Sequence, residues 1–246
     1  ATNAIAMTDP SNGDYSAKVG GPCKAAGSDG LDIGCSIYST VLGYKTAAMD
    51  PVSAAVLFDT ANKASAVGVD PGPVSVTVGA NSNRILLAIG HNEGGDGPLT
   101  SVSGGGGGAW TRVGTGGTNP GRLVDIFVSI APSTGVQAIT PTWATALTAN
   151  VSFAVVSIYN ANQTTPTQNF TDGGVATTIT VNSAANNLVF AGLSANGNMD
   201  PITSGTERYT DANFAAGGTG PGAATVTITW TGAVGREIAG CDVKAV

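Results

Sequence analysis

The chain has 246 residues, of which 11% are charged and 6% aromatic, and its formal net charge is −6. Its basic residues stand singly, so it lacks the cationic patch with which proteins hold a phosphate backbone, and we expect no direct nucleic-acid binding. No stretch approaches the roughly 20 apolar residues of a membrane-spanning helix, and we expect no membrane insertion.

The first part of the chain, residues 1–72, predicts little regular structure. Turn residues recur every few positions, and only 33–42 and 52–58 look able to form a strand or a short helix. Such a segment buries too little apolar surface to fold alone. We therefore expect an extended N-terminal arm that lies along a partner or along the rest of the chain.

Three cysteines leave two interpretations open. Cys23 and Cys35 lie close together in a glycine-rich stretch, and a disulfide between them would close a short loop, with Cys241 as a small buried side chain. Three reduced thiols are an equal alternative. The trio does not predict a metal site, because it contains no Cys-x-x-Cys pair and the chain has one histidine.

From residue 73 onward, apolar residues alternate in the way that predicts strands. Val74, Val76 and Val78 share one face, and residues 83–92 form a nearly continuous apolar run. Residues 104–108 are all glycine and predict a hairpin or bulge before Trp110. In the next strand we expect Val124, Ile126, Val128 and Ile130 to point inward and Asp125 and Ser129 outward.

Residues 151–166, VSFAVVSIYNANQTTP, predict the strand around which the others are arranged. The run is apolar on both faces, which is typical of a strand covered on each side, and Asn and Pro then end it. Later strands are predicted at 176–183, 187–195, 224–230 and 236–246, with a polar edge strand at 202–210. About ten or eleven short strands without a long amphipathic helix predict an all-β fold. We expect a two-sheet antiparallel β-sandwich, jelly-roll-like or Greek-key, over residues 73–246.

Several segments together resemble a known β-sandwich module. They are NRILLAIG, GGGGAWTRV, RLVDIFVSIAP, SFAVVSIYNANQTTP, NLVFAGLSA and REIAGCDVKAV. In this order they resemble a module of bacterial secreted and surface proteins and of phage virion proteins of the capsid-decoration type, over roughly residues 74–246. The resemblance implies a fold and a setting, and it carries no catalytic residue.

The sequence predicts no catalytic site. His91 is the single histidine, so a Ser-His-Asp triad would have to use it, and no Gly-x-Ser-x-Gly nucleophile elbow accompanies it. We interpret His91 as structural or exposed. The glycine run at 104–108 lacks the Gly-Lys-Ser/Thr of a phosphate-binding loop. The chain is accordingly predicted not to be an enzyme.

Two kinds of ligand stay open. Carboxylates in glycine-containing loops could bind Ca²⁺, although no loop has EF-hand spacing, and we prefer solvated turns. These carboxylates are Asp9, Asp14, Asp29, Asp32, Glu93, Asp96, Asp200 and Asp211. The tryptophans Trp110, Trp143 and Trp230 could stack on a sugar, but core packing is favoured, and Trp143 is the candidate ligand-facing aromatic.

We therefore expect a non-enzymatic structural protein on the outer surface of a virion. The resemblance implies that it is a decoration or outer-shell protein of a phage capsid. Its partners would be copies of itself, by analogy a trimer, and the major capsid or another shell protein. The absence of a basic-then-apolar signal sequence at the start favours this over a secreted protein. The alternatives are a secreted carbohydrate-binding or adhesion module and a surface-layer or filament subunit.

Overall fold

The computed structural model describes residues 7–9, 14–17, 53–93, 96–117, 121–197, 202–211, 214–231 and 234–246. The chain divides into two compact units, residues 1–52 and 53–246. In the first unit, strands β1 (Met7–Asp9) and β2 (Asp14–Ala17) pair antiparallel, with Met7 opposite Ala17. The proposed bridge between Cys23 and Cys35 lies outside the described residues.

The second unit is all-β and antiparallel, as predicted from the sequence, and its described residues contain no helix. Its strands are β3 (Leu57–Val67), β4 (Val74–Val78), β5 (Ile85–Glu93), β6 (Leu99–Gly104), β7 (Thr111–Gly116), β8 (Arg122–Ile130), β9 (Gly135–Trp143), β10 (Asn150–Tyr159), β11 (Thr167–Gly174), β12 (Thr178–Asn182), β13 (Leu188–Asn196), β14 (Ile202–Ser204), β15 (Thr206–Asp211), β16 (Ala215–Pro221), β17 (Thr225–Trp230) and β18 (Val234–Val243).

Two five-stranded sheets form the centre of this unit. The first inner sheet has the strand order β3-β10-β5-β8-β7, and the second inner sheet has the order β11-β18-β13-β16-β15. They pack face to face as a β-sandwich, with apolar side chains of both sheets in one core cluster. A three-stranded sheet then covers the far side of each. The first outer sheet is β4-β9-β6 and the second outer sheet is β12-β17-β14.

The four layers explain why the inner strands are apolar on both faces. In β10, Ala154, Val156 and Ile158 belong to the central core, whereas Phe153 and Val155 pack beneath the first outer sheet. All five are buried. Strands of the outer sheets instead alternate, because their far faces meet solvent, and β4 follows this pattern with its three valines buried. The sequence predicted both patterns correctly.

The second unit is a tandem structural repeat. The first repeat runs from β3 to β10 and the second from β11 to β18, and the strands take the same places in the same order in each. Their sequences keep a residual match at one constant spacing. Pairs at this spacing are Thr77 and Thr180, Val78 and Val181, Asn83 and Asn186, Ala88 and Ala191, Thr100 and Thr203, and Ser101 and Ser204. Asn83 and Asn186 also share a left-handed backbone, with φ of 53° and 69°.

The contacts between the repeats indicate a local two-fold relation. Strand β3 lies near β15 at one side of the interface, and its counterpart β11 lies near β7 at the other side, while β5 packs on its own counterpart β13. Such a reciprocal arrangement is the isologous interface of a symmetric dimer. Here both halves belong to a single chain.

Three details differ from the sequence-based expectations. The compact unit begins at Ser53, and β3 pairs along its length with β10, so this strand is part of the sandwich although it lies within the residues assigned to the arm. The glycines at 104–108 connect β6 of an outer sheet to β7 of an inner sheet rather than forming a hairpin. Asp125 and Ser129 are buried, because the first outer sheet covers the face on which they lie.

Candidate functional site

His91 is buried in the interface between the two repeats. Its Nε2 lies 2.9 Å from the hydroxyl oxygen of Tyr209, and the two rings meet edge to face with centroids 5.8 Å apart. Burial lowers the pKa of His91 to about 3, against the opposing effect of the Asp211 carboxylate, and burial also raises the pKa of Tyr209. The structural interpretation of His91 holds, while the exposed alternative does not. A neutral, enclosed imidazole is out of reach of a substrate.

The carboxylates singled out in the sequence are occupied by protein donors where the structure describes them. Asp96 accepts hydrogen bonds from the backbone and hydroxyl of Thr148, at 2.9 and 2.7 Å, and from the Ala149 backbone at 3.1 Å. Glu93 is bound by Arg122 at 3.1 Å and by the Asn150 amide at 2.6 Å. Asp211 lies 3.7 Å from the ammonium nitrogen of Lys63.

No calcium site is visible among these residues. Within the described part of the chain, no three His, Cys, Asp or Glu side chains come together in a way that could hold a metal ion. Asp29, Asp32 and Asp200 lie outside the described residues, and for Asp9 and Asp14 the description covers the backbone alone. The Glu93 and Asp96 carboxylates fix neighbouring strands and loops instead.

An ion pair between the exposed Arg112 and the buried Asp125, which the sequence did not suggest, lies beside the first outer sheet. Arg112 donates to Asp125, whose carboxylate also accepts from the Thr115 hydroxyl at 2.5 Å and from the Leu99 backbone at 2.8 Å. Burial raises the pKa of Asp125, and these donors oppose the shift. The Arg112 guanidinium also lies over the ring of Phe127, 4.5 Å from its centroid. Through the backbone of Leu99 in β6, which donates to Asp125 and accepts from Arg112, the pair joins an inner sheet to an outer one.

A second buried carboxylate, Asp242, performs the same structural task in the second repeat. It accepts from the amides of Gln168 and Asn187, at 2.8 and 2.7 Å, and from the Ser183 hydroxyl at 2.6 Å. Next to it, Cys241 is a free and fully buried thiol, and burial raises its pKa to about 12. This agrees with the prediction of a small buried side chain.

The three tryptophans differ in exposure. Trp230 is buried under the second outer sheet, as predicted, and Trp110 packs half-buried against the core of the first repeat. Trp143 takes the position of Trp230 in the first repeat, since Leu99 lies opposite Trp143 as Ile202 lies opposite Trp230. Trp143 is half-buried and lines an open depression of about 400 Å³, together with Asp70, Pro141, Thr142, Thr145, Ala146 and Leu147.

The outward-facing side chains of the two outer sheets are all uncharged. The first outer face consists of Ser75, Thr77, Ser101, Ser103, Val136, Ala138, Thr140 and Thr142. The second outer face consists of Thr178, Thr180, Asn182, Thr225, Thr227 and Thr229. Threonines pair across its strands, with hydroxyl oxygens 3.1 Å apart in Thr178–Thr229 and 3.0 Å apart in Thr180–Thr227. The two faces lie at opposite ends of the four-layer stack.

Comparison with models of protein families, with curated proteins and with solved structures finds no match to this chain. The resemblance to the sandwich module of surface and virion proteins therefore stays a prediction. Among the residues that the structure describes, no helix is long and apolar enough to cross a bilayer.

Proposed function

We propose that this chain is a non-enzymatic structural protein of a virus particle, a capsid decoration or outer-shell protein of a bacteriophage. It assembles through residues 1–52 and through the surface of the sandwich. Its partners are further copies of itself, with a trimer as the expected assembly, and the major capsid or another shell protein. Its place is the outer surface of the virion.

The uncharged outer faces are the observation that carries this proposal. The centres of protein interfaces are depleted in charged side chains, whereas the surfaces of monomers usually carry charges of both signs. Here the exposed positions of both outer sheets hold Ser, Thr, Asn, Ala and Val. A sheet face of this kind can approach another protein without removing a charge from water, which would be costly.

The polar groups inside the sandwich support the non-enzymatic part of the proposal. Asp96, Asp125 and Asp242 each hold together strands or loops that are distant in sequence. His91 is enclosed between the repeats with Tyr209 as its partner. These groups are buried, and their hydrogen bonds stabilise the fold.

The native mass of the full chain, measured by size-exclusion chromatography with light scattering, tests this proposal. We expect a closed oligomer, and we expect Thr140→Lys or Thr180→Lys to weaken it at least tenfold, because each places a charge in the centre of an outer face. Thr164→Lys is the matched control, since Thr164 is exposed in the connection between the repeats. A wild-type monomer at all concentrations, or equal effects of all three variants, would argue against assembly through these faces. Open fibres or lattices would favour the surface-layer or filament alternative.

A secreted carbohydrate-binding module is the second candidate, and the partial exposure of Trp143 favours it. The equivalent Trp230 is enclosed, while Trp143 lines a depression that also contains Asp70 and Thr142. An aromatic ring beside polar groups is a common arrangement for holding a ligand. A sugar panel tested on wild type, Trp143→Ala and the control Trp110→Ala separates the two functions. Loss of sugar binding in Trp143→Ala alone supports this candidate. If none of the three proteins binds any sugar of the panel, the carbohydrate-binding function is excluded.

A further inference from the structure

A groove of about 350 Å³ lies where β3 of the first repeat meets β15 and β16 of the second. Its apolar lining comes from Val56, Leu57, Phe58, Leu188 and Pro221. This volume lies at the lower end of the range for small-molecule sites, about 300–1,000 Å³. Leu57 is 45% exposed, although it is a large apolar side chain at the rim of an otherwise buried core.

Arg208 supplies the charge of this groove. Its guanidinium lies over the Phe58 ring, 4.1 Å from the centroid, and its Nε donates to the Thr219 hydroxyl at 2.7 Å. Partial burial lowers the pKa of Arg208. Among the described residues, no carboxylate pairs with it, and its two terminal amino groups have no protein acceptor. Arg208 is partly buried and its terminal amino groups are open to a ligand, so the groove presents a positive charge that is complementary to an anion.

The other side of the repeat interface shows that the groove is not a general feature of the fold. The two-fold relation brings β7 and β11 together there, as β15 and β3 meet here. In the paired registers, Val113 takes the position of Arg208 and Thr167 that of Phe58. At that side Phe170 packs so closely on Gly114 that an added Cβ would lie 2.5 Å from its ring. The pair of Arg208 and Phe58 therefore has no counterpart at the other side.

We infer that this groove binds a small organic monocarboxylate. The carboxylate accepts hydrogen bonds from the terminal amino groups of Arg208, and the apolar body of the molecule lies on Leu57, Phe58 and Leu188. A monocarboxylate with a hydrocarbon body fits better than inorganic phosphate, because one guanidinium matches the two oxygens of a carboxylate and the apolar residues of the groove match a hydrocarbon body that phosphate lacks. This site is separate from the outer faces and from Trp143, and it does not depend on the proposed assembly.

Calorimetric titration and amide-shift mapping of the full chain test the inference with three probes: hexanoate, 1-hexanol and inorganic phosphate. We expect hexanoate to bind and to shift the amides of Phe58, Leu188 and Arg208. We expect 1-hexanol and phosphate to bind at least tenfold more weakly, because 1-hexanol lacks the carboxylate and phosphate lacks the hydrocarbon chain. Arg208→Gln is expected to weaken hexanoate binding at least tenfold, and Arg208→Lys less.

Arg84→Gln is the matched control, since Arg84 binds the backbone carbonyls of Asn81 and Pro132 away from the groove. Four results would overturn the inference: no binding of hexanoate, equal binding of 1-hexanol, equal binding of phosphate, or an equal loss in Arg84→Gln. If Arg208→Gln does not fold, the comparison of the three probes on the wild-type protein still tests whether the groove binds a monocarboxylate.

Discussion

At the scale of single residues, the polar groups inside this sandwich separate what a sequence can predict from what it cannot. Alternation placed Asp125 on the opposite face from Val124 and Ile126, and that assignment is correct. The expectation that this face meets water was wrong, because β4, β6 and β9 form a further layer above it. Nothing within the strand itself shows whether its second face is covered by water or by another sheet.

His91 gives the sandwich a predictable dependence on pH. Its pKa is about 3 in the folded chain and about 6.5 when unfolded, so the unfolded state binds more protons between these values. The free energy of unfolding should therefore fall as the pH drops from about 6.5 toward 3. We expect His91→Gln to remove this part of the slope in urea titrations performed at a series of pH values.

Tyr209→Phe is the matched control for that measurement, because it removes the hydroxyl partner and keeps the imidazole. Its unfolding free energy should still fall with pH as in the wild-type chain. A His91→Gln variant with the wild-type slope would show that His91 is protonated in the folded state, in contradiction to its burial.

At the scale of strands, the sequence predicts strand positions well and strand partners poorly. The valines of β4 and the apolar run of β10 indicated correctly which side chains would be buried. The glycines at 104–108 indicated a turn, and Gly104, Gly105 and Gly106 do adopt positive φ. The strands on either side nevertheless belong to different sheets. Pairing depends on contacts between distant residues, which local alternation does not encode.

The contact between Gly114 of β7 and Phe170 of β11 offers a test of how the two repeats fit together. An alanine at 114 would place its Cβ 2.5 Å from the Phe170 ring, so Gly114→Ala should destabilise the chain by about 1–3 kcal/mol. Phe170→Leu should be destabilising by itself, and the double variant should lose less than the sum of the two. Chemical denaturation of all four proteins measures this coupling. Simple additivity would show that the two residues do not touch.

At the scale of the whole molecule, the tandem repeat is the feature that sequence reading missed. The sequence similarity between the repeats is visible in pairs such as Asn83 and Asn186. It is also visible in the endings TPTW and TITW of β9 and β17. Few positions are shared, because each repeat needs apolar and small residues at given places rather than particular ones. The candidate site was predictable in part: Trp143 was singled out, whereas Arg208 was not, because its groove is formed by both repeats.

Because the repeats pack as an internal dimer, a cut between them should leave them together. We expect a protease site inserted between Thr164 and Thr165, which are exposed, to be cleaved without change in the native mass of the sandwich. The large buried interface, which includes Ile89, Phe190 and Cys241, holds the halves in place. Gel filtration in buffer and in denaturant measures this. Dissociation in buffer alone would mean that the connection, and not the interface, holds the repeats.

Removal of residues 1–52 tests the division of the chain. Since residues 53–246 form a compact unit of their own, we expect this fragment to melt cooperatively within a few degrees of the full chain. Under the proposed function, the same fragment should no longer assemble in light scattering. Loss of the cooperative melt would mean that the first 52 residues belong to the core.

The pairing of the first and last strand in each repeat has a mechanical consequence. The chain enters the first repeat at Leu57 and leaves it at Tyr159, and these residues lie opposite each other; Thr167 and Val243 do the same in the second. Tension along the chain therefore pulls on neighbouring strand ends and loads the inter-strand hydrogen bonds one after another, along their own direction. Each repeat should peel open at low force, whereas compression across the four layers meets close-packed side chains. The sandwich should therefore resist compression across its layers better than tension along its chain.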